Sequence, residues 1–316
     1  VIREWPAQDT LASIVREVMS NGGGPYNVLK DLAVLAPEIP REACGLIGND
    51  LNGDWIVDDC RKNGIDVSRL QRTPDASTSY TDAMTVEATG RRTFFHQRGA
   101  NALLGPEHFS FAGSTAKIFH LGYLMLLDRL DELDAEGKSG AEVVLQMARE
   151  AGMIATVDCV SEKSGRFPEV VKAALRSAHI LFINEFECGQ VLERELAPEK
   201  QAMIDAAGEL IAFAAEDAMV VLHAADGAVV VDRSGAVETS GAVAVPDEWV
   251  AGATGAGDAF AAGFLLGVHE GRDVATSLQY AVASAAMSLS HSTPSEGMKP
   301  LGDCLELIER FGIRAF

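Results

Sequence analysis

Cysteine is scarce. The 316 residues contain five, Cys44, Cys60, Cys159, Cys188 and Cys304, scattered and without a C-x-x-C pair. An odd, dispersed set excludes a disulfide framework and a zinc cluster. It leads us to expect reduced, mostly buried thiols in a cytoplasmic protein. Basic residues are also few, 26 Lys and Arg against 46 Asp and Glu, for a formal net charge of −20. Such a surface repels phosphate backbones and anionic lipid, which argues against broad nucleic-acid or membrane-surface binding. It leaves room for a local basic pocket. The longest uncharged run, Val274 to Ser295, contains Gln279, His291, Pro294 and many hydroxyl residues, so it reads as a buried helix plus a loop. The opening Val1-Ile2-Arg3-Glu4-Trp5-Pro6 carries charges where a signal peptide needs an apolar core. No Met begins the chain, and residues ahead of Val1 are expected. Tandem repeats, low-complexity tracts and long linkers are lacking.

What is present is globular: 47% apolar and 23% charged residues, enough for one large or two modest domains. Asn27 to Ala36 has apolar residues at helical spacing, Ala43 to Gly48 reads as a buried strand, and Gly53 to Asn63 as a helix stopped by Gly64. Thr78 to Val86 and Arg91 to Gln97 are extended and could pair as a hairpin around Ala88-Thr89-Gly90. From Lys117 onward apolar strands (Ile118–Leu121, Met153–Val157, Ile180–Ile183, Met219–Leu222) alternate with helical stretches (Leu127–Glu150, Pro168–Ser177, Pro198–Ala215). That rhythm implies a parallel sheet covered on both faces. Gly227–Asp232 and Gly235–Val245 look antiparallel, and helices Gly257–Glu270, Asp273–Ser290 and Asp303–Phe311 close the chain.

The chemistry concentrates in Gly252-Ala253-Thr254-Gly255-Ala256-Gly257-Asp258-Ala259-Phe260. Small residues let the backbone approach a ligand, and the helix expected to follow points its N-terminal amides outward, an arrangement suited to phosphate. A Walker A loop would need Lys and Ser or Thr where Asp258 and Ala259 stand, and a dinucleotide fingerprint would need Gly in place of Phe260. A carboxylate in a phosphate loop repels its ligand unless it has a task. Asp258 either takes a proton from an attacking hydroxyl or only caps the helix.

The loop resembles the C-terminal signature of the ribokinase-like (phosphofructokinase-B type) carbohydrate kinases. Other marks of that family follow in order. Gly22-Gly23-Gly24-Pro25-Tyr26-Asn27 is similar to its G-G-x-x-x-N sugar motif. Gly45 to Gly53 is similar to its G-x-x-G-x-D-x-x-G turn, and Gly90-Arg91-Arg92-Thr93-Phe94 to its lid hairpin. Asn184-Glu185-Phe186-Glu187 matches its N-x-x-E motif, although alone these residues could simply start a helix. The resemblance spans residues of about 20 to 300.

It implies a three-layer α/β/α sandwich with a mostly parallel central sheet. Residues 21–75 and 102–316 would form the catalytic body, and residues 1–20 and 76–101 a discontinuous β-rich lid. It further implies ATP-dependent phosphorylation of a sugar hydroxyl. Asp258 would be the base and Gly255, Ala256 and Gly257 the anion hole. Gly22, Gly23, Asn27 and Asn101 would lie at the sugar, and Asn184, Glu187, Thr254 and Gly227 at the nucleotide. Glu187 would hold Mg²⁺ through water, and a homodimer could form through the lid. A nucleoside kinase on the same fold and a non-catalytic sugar sensor are the alternatives; an NAD-dependent oxidoreductase is disfavoured by Phe260.

Some positions depart from the family. Its first strand, with a sugar-binding Asp, would precede Val1, so either that segment lies outside this sequence or the sugar site is altered; Asp9 is a poor substitute. Gly252 stands where many relatives have an Asp that helps bind a monovalent cation, which leaves potassium activation open. Leu222 to Gly227 differs from the usual Thr and Gly near adenine. Asp158 lacks the frequent Pro-Asn partner and receives no role. His96, His120 and His223 fit no nucleophile or metal pattern and read as structural. Arg91 and Arg92 read as a solvated hairpin end rather than a reach toward an anionic substrate.

Overall fold

The computed structural model describes residues 1–316. Alternation of apolar residues builds its centre. In the strand Ile180–Asn184, Leu181 and Ile183 enter one core, while Ile180 and Phe182 enter another. Side chains of a strand point alternately to opposite faces, so both faces of this sheet are covered.

In chain order the elements are α1 (Gly24–Leu35), β1 (Arg41–Gly48), α2 (Leu51–Lys62), β2 (Ile65–Thr73), β3 (Tyr80–Thr85) and β4 (Arg92–Gln97). There follow β5 (Ile118–Leu124), α3 (Asp128–Asp131), α4 (Gly140–Glu150), β6 (Ile154–Cys159), α5 (Phe167–Leu175), β7 (Ile180–Asn184) and α6 (Glu185–Val191). The chain closes with α7 (Lys200–Ile211), β8 (Met219–His223), β9 (Gly227–Asp232), β10 (Val237–Gly241), α8 (Ala256–His269), α9 (Val274–Ser288) and α10 (Leu301–Phe311).

The main sheet has six strands in the order β10-β9-β8-β7-β6-β5. Strands β5 to β8 run parallel, and β9 and β10 are antiparallel additions. Helices α4 to α7 pack one face and α1, α8, α9 and α10 the other, which makes three layers. Strands β1 and β2 form a separate parallel pair, and β3 and β4 an antiparallel hairpin. Ile2 bridges both Ile14 and Val86, so the N-terminal segment lies along this hairpin, and Trp5 stacks on Phe95.

The mostly parallel α/β architecture agrees with the sequence-based expectation, with three differences. The stretch expected to be one helix from Leu127 to Glu150 breaks after α3. Gly137 adopts a left-handed φ of 74°, and Ser139 restarts the helix as the N-cap of α4, accepting from the Glu142 amide. Strand β2 was not expected, because Asp66, Ser68, Arg69, Gln71 and Arg72 obscure its alternation. The sheet is also in two pieces. A cleft of about 2320 Å³ runs between β1 and β5 and is walled by residues of both, by α1, by the hairpin and by the glycine loop.

The five cysteines are free, four of them buried. No helix is long and apolar enough to cross a membrane.

Candidate active site

The cleft opens at the carboxyl ends of β5, β6 and β7 and at the N-terminus of α8, the position at which open α/β sheets collect ligands. The glycine loop turns there because Gly255, the N-cap of α8, takes a left-handed φ of 84°. A Cβ on Gly255 would lie 2.6 Å from Pro294, so the loop requires glycine twice over: for its dihedral and for the close approach of the 292–294 segment. No side chain caps α8. Ala256 N–H donates to the Ala253 carbonyl at 3.3 Å, while the Gly257 and Asp258 amides have no backbone partner and, with the positive end of the dipole, remain available at the cleft.

Asp258 does not cap the helix. In the first turn of α8 and only 7% exposed, its carboxylate accepts from Tyr123 Oη at 2.7 Å on Oδ1 and from Asn27 Nδ2 at 2.7 Å on Oδ2. Burial, aided by the nearby Asp158 carboxylate, pushes Asp258 up to about 6, against the opposing pull of these two hydrogen bonds. Such a group is mostly ionised at neutral pH yet basic enough to accept a proton. Burial and the Asp258 charge push the Tyr123 phenol upward, which keeps it a donor.

A second carboxylate pair lies at the ends of β6 and β7. Asn184 and Glu187 form a reciprocal cap at the start of α6. Glu187 N–H donates to Asn184 Oδ1 at 2.8 Å, and Asn184 N–H donates to Glu187 Oε2 at 3.0 Å. Ser161 Oγ donates to Glu187 Oε1 at 2.7 Å. The helix-start alternative is thus realised, but it does not use Glu187 up: the residue faces the cleft, and burial together with Asp158 pushes it up to about 7. Asp158 contacts His120 Nε2 at 3.3 Å through Oδ2, and its Oδ1 is buried without a partner. No group of three or more His, Cys, Asp or Glu side chains is placed to cage a metal. The donors present are hard carboxylate oxygens, which fit a Mg²⁺ that keeps most of its water and leans on phosphate oxygens.

Of the residues singled out from sequence, Gly22, Gly23, Asn27, Asn101, Asn184, Glu187, Thr254, Gly255, Gly257 and Asp258 all line the cleft. Asn27 touches Asp258 directly, one position further into the chemistry than the sugar role implied. Ala256 belongs to the first turn of α8. Gly227 sits elsewhere: it opens β9, pairs with Gly241, and a Cβ there would lie 2.6 Å from both Phe316 and Ser240 O. Gly252 packs against Ser292, whose Cα a Cβ would meet at 3.1 Å, and brings no carboxylate to the loop. His223 rests against Phe260, and its desolvation pushes it down to about 4, so it is a neutral wall beneath the loop.

Sequence reasoning missed Tyr123, gave Asp158 no role, and read His120 as structural and Arg92 as a solvated hairpin end; all four line the cleft. Asp158 carried a signal, since it is a charged residue at the carboxyl end of an apolar strand. Tyr123 carried none, because its link to Asp258 spans 135 positions.

Comparison with known proteins gives the family and the fold. Residues 4–300 match the pfkB family carbohydrate kinase domain. The ATP-dependent ribose-1-phosphate kinase of Halopiger xanaduensis is 28% identical over 285 residues, covering 90% of this chain and 85% of that protein. The ribokinase of Giardia lamblia superposes with a TM-score of 0.78 at 17% identity, over 98% of this chain and 94% of its own. A putative ribokinase II from E. coli in complex with ATP and Mg²⁺ superposes with a TM-score of 0.70 at 20% identity, over 96% and 95% of the two chains. With the glycine loop, the buried carboxylate and the three-layer sheet in place, the chain belongs to the pfkB family of carbohydrate kinases, phosphotransferases with a hydroxyl acceptor.

Proposed function

We propose that the chain transfers the terminal phosphoryl group of Mg-ATP to a hydroxyl of a sugar or sugar phosphate, with Asp258 as the general base. The observation that carries this reading is the buried Asp258, raised to about 6 and oriented by Tyr123 and Asn27 at the N-terminus of α8. In the step, the acceptor oxygen bonds to the γ-phosphorus as the bond from that phosphorus to the β,γ-bridging oxygen breaks. ADP leaves with the bridging oxygen, and the hydroxyl proton passes to Asp258. Gly255, Ala256 and Gly257 offer the dipole end and amides of α8 to the charge on the phosphoryl oxygens.

Asn184, Glu187 and Thr254 border the nucleotide, with Asp158 beside them. Bound Mg²⁺ would neutralise phosphate charge, and Glu187 would hold its water shell; the unpartnered Asp158 oxygen favours the same cation. Gly22, Gly23, Asn27 and Asn101 form the sugar side. Residues 1–20 and 76–101 act as a lid over the rest of the chain, closing the cleft against water so that the sugar hydroxyl is the acceptor. The lid exposes Leu11, Ile14, Val18, Met19, Phe94 and Phe95, each more than half exposed, and apolar surface of this extent supports pairing of two lids in a homodimer. Five free thiols support a reducing, cytoplasmic setting.

The test is ADP release from Mg-ATP over a panel of sugars, sugar acids, sugar phosphates and nucleosides, with the product identified by phosphorus NMR. A new phosphate ester with one acceptor class is expected. Sugar binding without turnover by any acceptor would replace this reading with a sensor.

A further inference from the structure

The turn from Gly45 to Gly53 has no part in the reading above, yet three of its residues converge on one point. Asp50 is the N-cap of α2, and its Oδ1 accepts from the Gly53 amide at 2.8 Å. The same oxygen accepts from Thr78 Oγ1 at 2.6 Å, and Oδ2 accepts from the Thr78 amide at 2.7 Å. Thr78 Oγ1 in turn accepts from the Gly48 amide at 3.0 Å. Close approach fixes the two glycines. A Cβ on Gly48 would lie 2.5 Å from the Thr78 nitrogen, and one on Gly53 3.1 Å from Thr78 Oγ1. A helix cap needs only the bond to Gly53. The other two tie the start of α2 to a residue 28 positions away. The Thr78 bonds also hold the Asp50 carboxyl below its ordinary value of 3.8, so the joint is charge-assisted.

Thr78 is 2% exposed and stands two residues before β3, where the chain passes from the body into the hairpin. Its neighbour Ser77 accepts from the Ala100 amide at 2.8 Å through its carbonyl. Ala100 follows the return strand β4 and precedes Asn101, which lines the cleft. Both roots of the hairpin therefore meet at this joint, beside Asn101 and the α2 residues Asn52 and Trp55 of the cleft wall. The other ion pair at this end of the hairpin, Arg98 with Asp128, has both side chains more than one-third exposed, and such a pair contributes little.

We propose that Asp50 is a positioning residue for the acceptor: through Thr78 it fixes the root of the hairpin, and with it Asn101, over the sugar side of the cleft. This inference rests on the kinase reading above and on residues 76–101 acting as a lid. It gives the motif a task at the acceptor and none at the nucleotide.

The experiment uses Asp50→Asn, Thr78→Val and Thr78→Ser beside wild type. Asparagine caps a helix as well as aspartate, so α2 keeps its start, but its amide nitrogen cannot accept and leaves a Thr78 donor unpaired. Hydrogen exchange followed by mass spectrometry reads the joint without substrate. We expect the amides of residues 80–97 to exchange about 10-fold faster in Asp50→Asn, with those of α8 and α9 unchanged. In turnover, the KM of the acceptor should rise about 10-fold and that of Mg-ATP by less than about 2-fold. ADP should also appear in excess of phosphate ester, because a loose lid admits water. Thr78→Val should act in the same direction, and Thr78→Ser, which keeps the hydroxyl, should match wild type. The double variant Asp50→Asn with Thr78→Val should lose no more than the worse single one, since both open one joint.

Hairpin exchange at the wild-type rate in Asp50→Asn would overturn the inference whatever the kinetics. Equal rises in both KM values, or additive losses in the double variant, would overturn it as well. A wild type that forms no ester with any acceptor would instead sink the kinase reading and the acceptor role with it, while the exchange rates would still show whether Asp50 holds the hairpin.

Discussion

Replacing Tyr123 with Phe removes one of the two donors that hold Asp258 ionised, at almost no change in volume. The bond runs from Tyr123 Oη to Asp258 Oδ1 at 2.7 Å in a buried site. A hydrogen bond to a charged group contributes roughly 1.5 to 3 kcal/mol, and one pKa unit is about 1.4 kcal/mol. Asn27 keeps the second oxygen bonded, and the protonated acid can recover part of the loss with water. A rise of about one unit is therefore the reasonable expectation. Asp258 would then move from about 6 toward roughly 7. A general base works only when ionised, so the acidic limb of kcat/KM should move up in pH by the same amount. At pH 8 the ionised fraction changes by only about 10%, whereas at pH 6 it falls about fivefold. Coupled ADP-release rates between pH 5 and 9 would show a variant that is nearly wild type in alkali and crippled in acid. An unmoved acidic limb, with turnover reduced equally at every pH, would refute the assignment of that limb to Asp258.

Three further outcomes follow from the same physics. Asp31 on α1 is fully buried with neither oxygen partnered, and burial pushes it up to about 8. The folded state thus binds a proton that the unfolded state has released above its ordinary value of 3.8. Stability should fall as pH rises between these values, by at most about 1.4 kcal/mol per unit, and Asp31→Asn should flatten that slope in thermal melts from pH 5 to 9. Gly255→Ala combines a left-handed dihedral, costing about 1 to 2 kcal/mol, with a clash on Pro294, and should cut turnover by about 10-fold or more through displacement of the loop. Glu187→Gln retains the reciprocal cap at Asn184 but removes the charge, so the Mg²⁺ concentration for half-maximal turnover should rise severalfold while the thermal midpoint holds or increases.

Local patterns accounted for most of what was legible in the sequence. The strands β5 to β8 announced themselves as short apolar runs, and the glycine loop by composition, because backbone approach to phosphate tolerates little else. Each of these signals lies within a few residues of the structure it forms. Strand β2 was illegible because its exposed polar residues break the alternation, and the break after α3 because Gly137 and Ser139 sit inside an otherwise helical composition. The detailed site was less accessible still. Asp258 depends on Asn27 and Tyr123, 231 and 135 positions away, and Arg92 reaches Thr254 across 162. Such contacts arise only when the sheet brings its carboxyl ends together, and no local spacing encodes them. Gly227 shows the reverse: a glycine placed near the nucleotide by resemblance is demanded by Phe316 and Ser240 instead.

The most direct test of the account is the turnover of Asp258→Asn beside wild type, with Mg-ATP and whichever acceptor the panel identifies. The amide keeps the size and one acceptor oxygen, and cannot take the hydroxyl proton at neutral pH. The account predicts a fall in kcat of about 10²-fold or more with Mg-ATP binding retained. Undiminished kcat would mean that Asp258 accepts no proton in the reaction, and would contradict the central claim.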